Sequence, residues 1–80
     1  MTIGQKISYL RNKKGLTQEE LAEALEVSRQ SVSKWEMGLA LPHIEKLIGL
    51  CDLFSISADN LLRSEVQLDS TEVLDKNSFP

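Results

Sequence analysis

Apolar residues recur along this chain at helical spacing, and no stretch alternates in the manner of a half-buried strand. Ile3, Ile7 and Leu10 form the first stripe. The segment T-I-G-Q in front of it reads as a capping box, with Thr2 as N-cap and Gln5 three residues on. Lys13 and Lys14 suit the negative end of a helix dipole, and Gly15 suits the stop that follows. The spacing predicts a first helix over residues 3–14. "TQEE" (Thr17–Glu20) is a second capping box, and Leu21, Ala22 and Leu25 place a short second helix over 18–25. Glu26 and Val27 form a brief turn, Ser28 is the next N-cap, and a third helix covers 29–36 and stops near Gly38. Pro42 marks the start of a fourth helix, at or near its first turn. Ile44, Leu47, Ile48, Cys51 and Phe54 form the apolar stripe of that helix. Ser57 caps a last short helix that contains Leu61 and Leu62. The expected architecture is all-α: a compact five-helix domain over residues 1–63, followed by a polar, acidic tail or linker over 64–80.

The third helix carries the most information. In "SRQSVSKWEMG" (Ser28–Gly38), a wheel of about 100° per residue puts Arg29 at ~0°, Ser33 at ~40°, Gln30 at ~100° and Lys34 at ~140°. Val32 and Trp35 fall at ~300° and ~240°, on the opposite side. One side is therefore apolar and packs inward, while the other is an unbroken polar arc. Arg and Lys donate to guanine O6 and N7, Gln pairs with adenine N6 and N7, and Ser can donate or accept at close approach. Arg29, Gln30, Ser33 and Lys34 are therefore candidate base-reading residues in a DNA major groove. The second helix precedes the third by a three-residue turn, the helix-turn-helix arrangement. Its N-terminal N–H groups would face a phosphate, to which Gln18 can donate as well. Ser28, in the turn, is the second phosphate-contacting candidate. The competing interpretation is an ordinary solvated helix face. The capped turn and the apolar framework around it favour DNA.

Charge does not oppose this. The chain has 80 residues and a net charge of −3. Residues 1–63 hold eight Lys or Arg against eight Asp or Glu. The excess acidity lies in 64–80, where Lys76 faces Glu65, Asp69, Glu72 and Asp75. The front domain is neutral, and the distribution over one face decides whether DNA is bound.

The residues "LTQEELAEALEVSRQSVSKWEMG" (Leu16–Gly38), then Pro42, "LIGLCDLFSIS" (Leu47–Ser57) and "ADNLL" (Ala58–Leu62), closely resemble the phage repressor and Cro-like helix-turn-helix family, also called the XRE family. The resemblance covers about residues 3–63. It implies a sequence-specific duplex-DNA-binding transcriptional regulator, by expectation a cytoplasmic repressor that acts as a homodimer on a roughly palindromic operator. It maps the phosphate-contacting glutamine of such proteins onto Gln18 and the base-reading positions onto Arg29, Gln30, Ser33 and Lys34. It also implies an ion pair between Arg11 and Glu36 that fixes the first helix against the third. Two departures stand out. Glu26 occupies a turn position where the family commonly has Gly, so a non-Gly residue has to adopt φ > 0 there. "MGLALP" lacks the Lys or Arg often found after the third helix, which removes phosphate contacts.

Other chemistry is sparse. A single cysteine, Cys51, permits no intramolecular disulfide and suits a reducing compartment. It fits the apolar stripe as a core residue. His43 and Cys51 have no second ligand pair, so no zinc or other metal site is expected. Glu19, Glu20 and Glu23 read as a solvated face that also favours the helix dipole. No nucleophile elbow or glycine-rich phosphate loop occurs, so neither an enzyme nor a cofactor is expected. No apolar run is long enough to span a membrane. For a complete chain, dimerisation is expected to use the last helix and nearby apolar residues such as Leu61 and Leu62. The tail, with Val66, Leu68, Val73 and Leu74, could form a dimer contact, add a strand to a protein partner or carry no order, and in a fragment it would lead to an effector or oligomerisation domain. The alternative function is an antitoxin-like protein-binding module with secondary DNA binding.

Overall fold

The computed structural model describes residues 1–63, and the expectations for the acidic tail at 64–80 lie outside the described residues. Five helices follow one another: α1 (Ile3–Lys13), α2 (Gln18–Leu25), α3 (Arg29–Glu36), α4 (Ile44–Phe54) and α5 (Ala58–Arg63). There is no strand among the described residues.

The helix starts follow from local hydrogen bonding. At α1, Thr2 Oγ1 accepts from the Gln5 amide at 3.1 Å, and Gln5 Oε1 accepts from the Thr2 amide at 2.9 Å. At α2, Thr17 and Glu20 repeat the exchange at 3.0 and 2.8 Å. These reciprocal pairs satisfy amides that a helix start leaves without partners. Ser57 Oγ accepts from the Asn60 amide at 3.0 Å and starts α5. Pro42 does not open α4. It is buried two residues before the helix, and His43 is an N-cap whose side chain makes no capping bond.

The helix ends share one device. After α1 to α4 the chain turns through a residue of positive φ: Gly15 and Gly38 at 77°, Glu26 at 59° and Ser55 at 55°. In each case the next amide reaches back five residues. Leu16 bonds to the Arg11 carbonyl, Val27 to Ala22, Leu39 to Lys34 and Ile56 to Cys51, all at 2.9–3.0 Å. This closure satisfies carbonyls left free by the last turn. Helix α1 consequently ends at Lys13, one residue earlier than its spacing suggests, with Lys14 as C-cap.

Two of these four positions are not glycine. The left-handed conformation costs an L-residue roughly 1–2 kcal/mol, partly offset because glycine loses more backbone freedom on folding. Glu26→Gly is therefore expected to stabilise the domain by roughly 0.5 kcal/mol. Urea unfolding at constant m-value measures this, and a loss of stability would contradict the strain assigned to Glu26.

The core gathers Ile3 and Ile7 of α1, Leu21, Ala22 and Leu25 of α2, Val32 and Trp35 of α3, Leu47, Leu50 and Cys51 of α4, and Leu61 of α5. Helix α3 packs on α2 and α1, and α4 packs on α5 and α2. Two expectations need correction. Ile44 and Ile48 belong to the spacing of α4 but lie on its exposed side, and Leu50 is the fully buried residue in its middle. That helix is apolar around most of its circumference, so period alone does not choose its inward face. Leu61 is fully buried in the core of its own chain, which leaves Leu62 as the exposed leucine of α5. Leu61 is therefore not available for a dimer contact. Cys51 is buried, and burial first, then the neighbouring Asp52 carboxylate, push its thiol pKa up. It is a protonated core residue, not a nucleophile. No helix among the described residues is long and apolar enough to cross a membrane.

Candidate nucleic-acid interface

Helix α3 is built to show one side. Ser28 Oγ accepts from the Ser31 amide at 3.1 Å and so sets where the helix begins. The same oxygen lies 3.1 Å from Ser31 Oγ. Capping is thus the observed work of the Ser28 side chain. Val32 and Trp35 are buried on the inward side. Burying both fixes the helix about its own axis, and the opposite arc must then face solvent. Arg29, Gln30 and Lys34 are exposed, and Ser33 is half-buried. All four line a shallow cleft of about 330 Å³, and Met37 and Leu39 complete its wall. The wheel thus brings together the four candidate base readers, while Met37 and Leu39 are absent from the set that sequence reasoning assigned. The signal was present for Met37, because the phase of α3 carries forward to it.

Behind this cleft runs a chain of polar contacts. Arg11 of α1 meets Glu36, the last residue of α3, in a two-pronged ion pair: Nε to Oε2 at 2.7 Å and Nη2 to Oε1 at 3.1 Å. Arg11 Nη1 donates to the Leu16 carbonyl at 2.8 Å, in the α1–α2 connection. Gln18 of α2 donates its amide to Glu36 Oε1 at 3.0 Å. Arg29 Nη1 in turn donates to Gln18 Oε1 at 3.4 Å. One carboxylate therefore ties together α1, α2 and α3. The side chains of Arg11 and Glu36 are 13% and 8% exposed. The hydrogen bond to Glu36 raises the Arg11 pKa above its ordinary value, burial opposes this, and the Coulomb attraction of Glu36 adds to the rise. The guanidinium therefore stays charged.

The position of Gln18 alters its expected role in one respect. One amide hydrogen is committed to Glu36, and an amide nitrogen carries two. The bond to the Arg11–Glu36 ion pair holds the group in place. Gln18 is thus a link between the internal network and the outer surface.

The helix-turn-helix family model matches residues 7–61. Among curated relatives, the HTH-type transcriptional activator BcrR of Enterococcus faecalis is 40% identical over 79 residues, covering 99% of this chain and 39% of its own length. This chain therefore spans well under half of that relative. Among solved structures, the P22 c2 repressor bound to a synthetic operator superposes with a TM-score of 0.76 at 29% identity, covering 81% of this chain and 98% of that one. The biofilm regulator SinR in complex with DNA superposes with a TM-score of 0.68 at 33% identity, covering 75% of this chain and 97% of that one.

Proposed function

This chain belongs to the helix-turn-helix family, and from that footing we propose that it binds duplex DNA sequence-specifically as a transcriptional regulator. The observation that carries this reading is the cleft on α3, where Arg29, Gln30, Ser33 and Lys34 gather opposite buried Val32 and Trp35. In the proposed mode, the first turns of α3 enter the major groove and α2 lies across the backbone. Gln18 and the N-terminal amides of α2 hold a phosphate and set the register. Ser28, at the α3 cap, is the second phosphate contact. Arg29 and Lys34 read guanine, Gln30 reads adenine, and Ser33 makes a close polar contact.

One α3 reads only a few base pairs, so we propose a homodimer on a roughly palindromic operator, with half-sites about 34–36 Å apart. Repression would follow from covering a promoter and blocking polymerase. The Enterococcus faecalis relative is named an activator. An operator placed beside a promoter instead of over it would give that sign.

The test is selection of bound duplexes from a random library at two salt concentrations. A palindromic consensus whose affinity falls with salt is expected, because phosphate contacts release counterions. If no duplex is enriched, the DNA-reading proposal fails and a protein-binding module takes its place. On the selected operator, Arg29→Ala is expected to cost about 1–3 kcal/mol and to relax preference at one base pair. Unchanged affinity and preference would remove Arg29 from the base-reading set.

A further inference from the structure

The reading surface of α3 continues past its last helical residue. Met37 is the C-cap, with φ −87° and ψ −3°, and its amide bonds to the Ser33 carbonyl at 3.0 Å. It therefore keeps the helical phase and falls at ~80° on the wheel, between Ser33 at ~40° and Gln30 at ~100°. Gly38 then turns the chain at a φ of 77°. Its amide bonds to the Trp35 carbonyl at 3.2 Å and that of Leu39 to the Lys34 carbonyl at 2.9 Å, which folds Leu39 back beside the helix. Met37 is 63% exposed and Leu39 70% exposed. Both wall the cleft that Arg29, Gln30, Ser33 and Lys34 line.

Two large apolar side chains in a cleft of polar readers offer a surface to an apolar group. The major groove presents one such group, the C5-methyl of thymine. We propose that Met37, with Leu39 beside it, forms an apolar seat for a thymine methyl next to the bases contacted by Ser33 and Lys34, and so determines sequence preference there. The inference rests on the DNA-binding reading above and adds a fifth base-contacting position to it. The thioether is flexible and polarisable, which suits contact with a small group of uncertain depth. A protein partner is the lesser fit for the same wall. Lysine and serine are depleted at protein interfaces, and Lys34 and Ser33 both line this cleft.

The test uses the full chain and its selected operator, with each thymine replaced in turn by uracil, which removes only the methyl. The wild-type chain is expected to lose about three- to fivefold in affinity at one thymine per half-site. Met37→Ala is expected to bind the thymine and uracil duplexes equally, and Met37→Leu to keep the difference. Because Met37 is exposed, its truncation leaves the core intact, and melting of the variant checks this. Sequence-specific binding by the wild-type chain with no uracil penalty would overturn the inference and leave the DNA-binding proposal standing. So would a penalty that Met37→Ala preserves. A change of oligomeric state in Met37→Ala with the penalty unaltered would overturn it in favour of a protein contact. Failure to enrich any duplex would overturn the DNA-binding proposal, and the inference with it.

Discussion

Gly4→Ala is expected to destabilise the domain by roughly 3 kcal/mol, at the upper end of what overpacking usually costs. Helix propensity alone predicts the opposite, since alanine is favoured over glycine by about 1 kcal/mol inside a helix. The tertiary contact reverses the sign. A Cβ at Gly4 would collide with the Trp35 carbonyl oxygen and would lie 2.9 Å from the Glu36 carbonyl oxygen and 3.1 Å from the Glu36 carbonyl carbon. All of these are backbone atoms at the end of α3, so no rotamer change relieves the clash. Helix α1 would have to move away from α3. Because small domains hold only about 5–15 kcal/mol in total, the loss would be severe. Chemical denaturation of Gly4→Ala gives the answer directly. A variant as stable as the parent would mean that α1 and α3 do not approach as closely as described.

The second large effect concerns Glu36. Glu36→Ala is expected to cost about 3–5 kcal/mol, because it leaves the Arg11 guanidinium buried without its counter-charge. The same change removes the anchor of Gln18, so operator affinity is expected to fall beyond what unfolding explains. The paired variant Arg11→Met with Glu36→Leu is expected to recover most of the stability, since a buried ion pair replaced by apolar residues is often neutral or better. It should not recover the affinity, because Gln18 would still lack its carboxylate. Denaturation of the three proteins and titration with operator separate these outcomes. A single-variant cost below about 1 kcal/mol would assign the pair the small weight of solvated surface pairs. Alkaline pH does not imitate the loss of Arg11. Its pKa is raised in the folded state, so its contribution is complete below the ordinary arginine value and disappears only as pH rises beyond it.

Helix order, the limits of α2 and α3 and the facing of α3 all follow from local residue spacing. Capping boxes at Thr2 and Thr17 are local in origin, as are the stops at Gly15 and Gly38 and the opposition of Val32 and Trp35 to Arg29, Gln30, Ser33 and Lys34. Each depends on residues within one or two turns, and one-dimensional spacing carries that information. Glu26 was legible only through the family resemblance, which supplied a turn of positive φ. Ser55 takes the same conformation, yet nothing in "FSIS" distinguishes it from an ordinary loop serine. Packing against the neighbouring helices chose the buried side of α4, because Ile44, Leu47, Ile48, Leu50 and Cys51 cover too much of its circumference for a period to select a face. Packing took Leu61 into the core and withdrew it from any interface. It also joined Gln18 to Glu36, eighteen residues apart, and brought Gly4 against the end of α3. These contacts join residues distant in sequence, and the physical reason they escaped is that spacing within a helix fixes direction around its axis but not which neighbouring helix lies there.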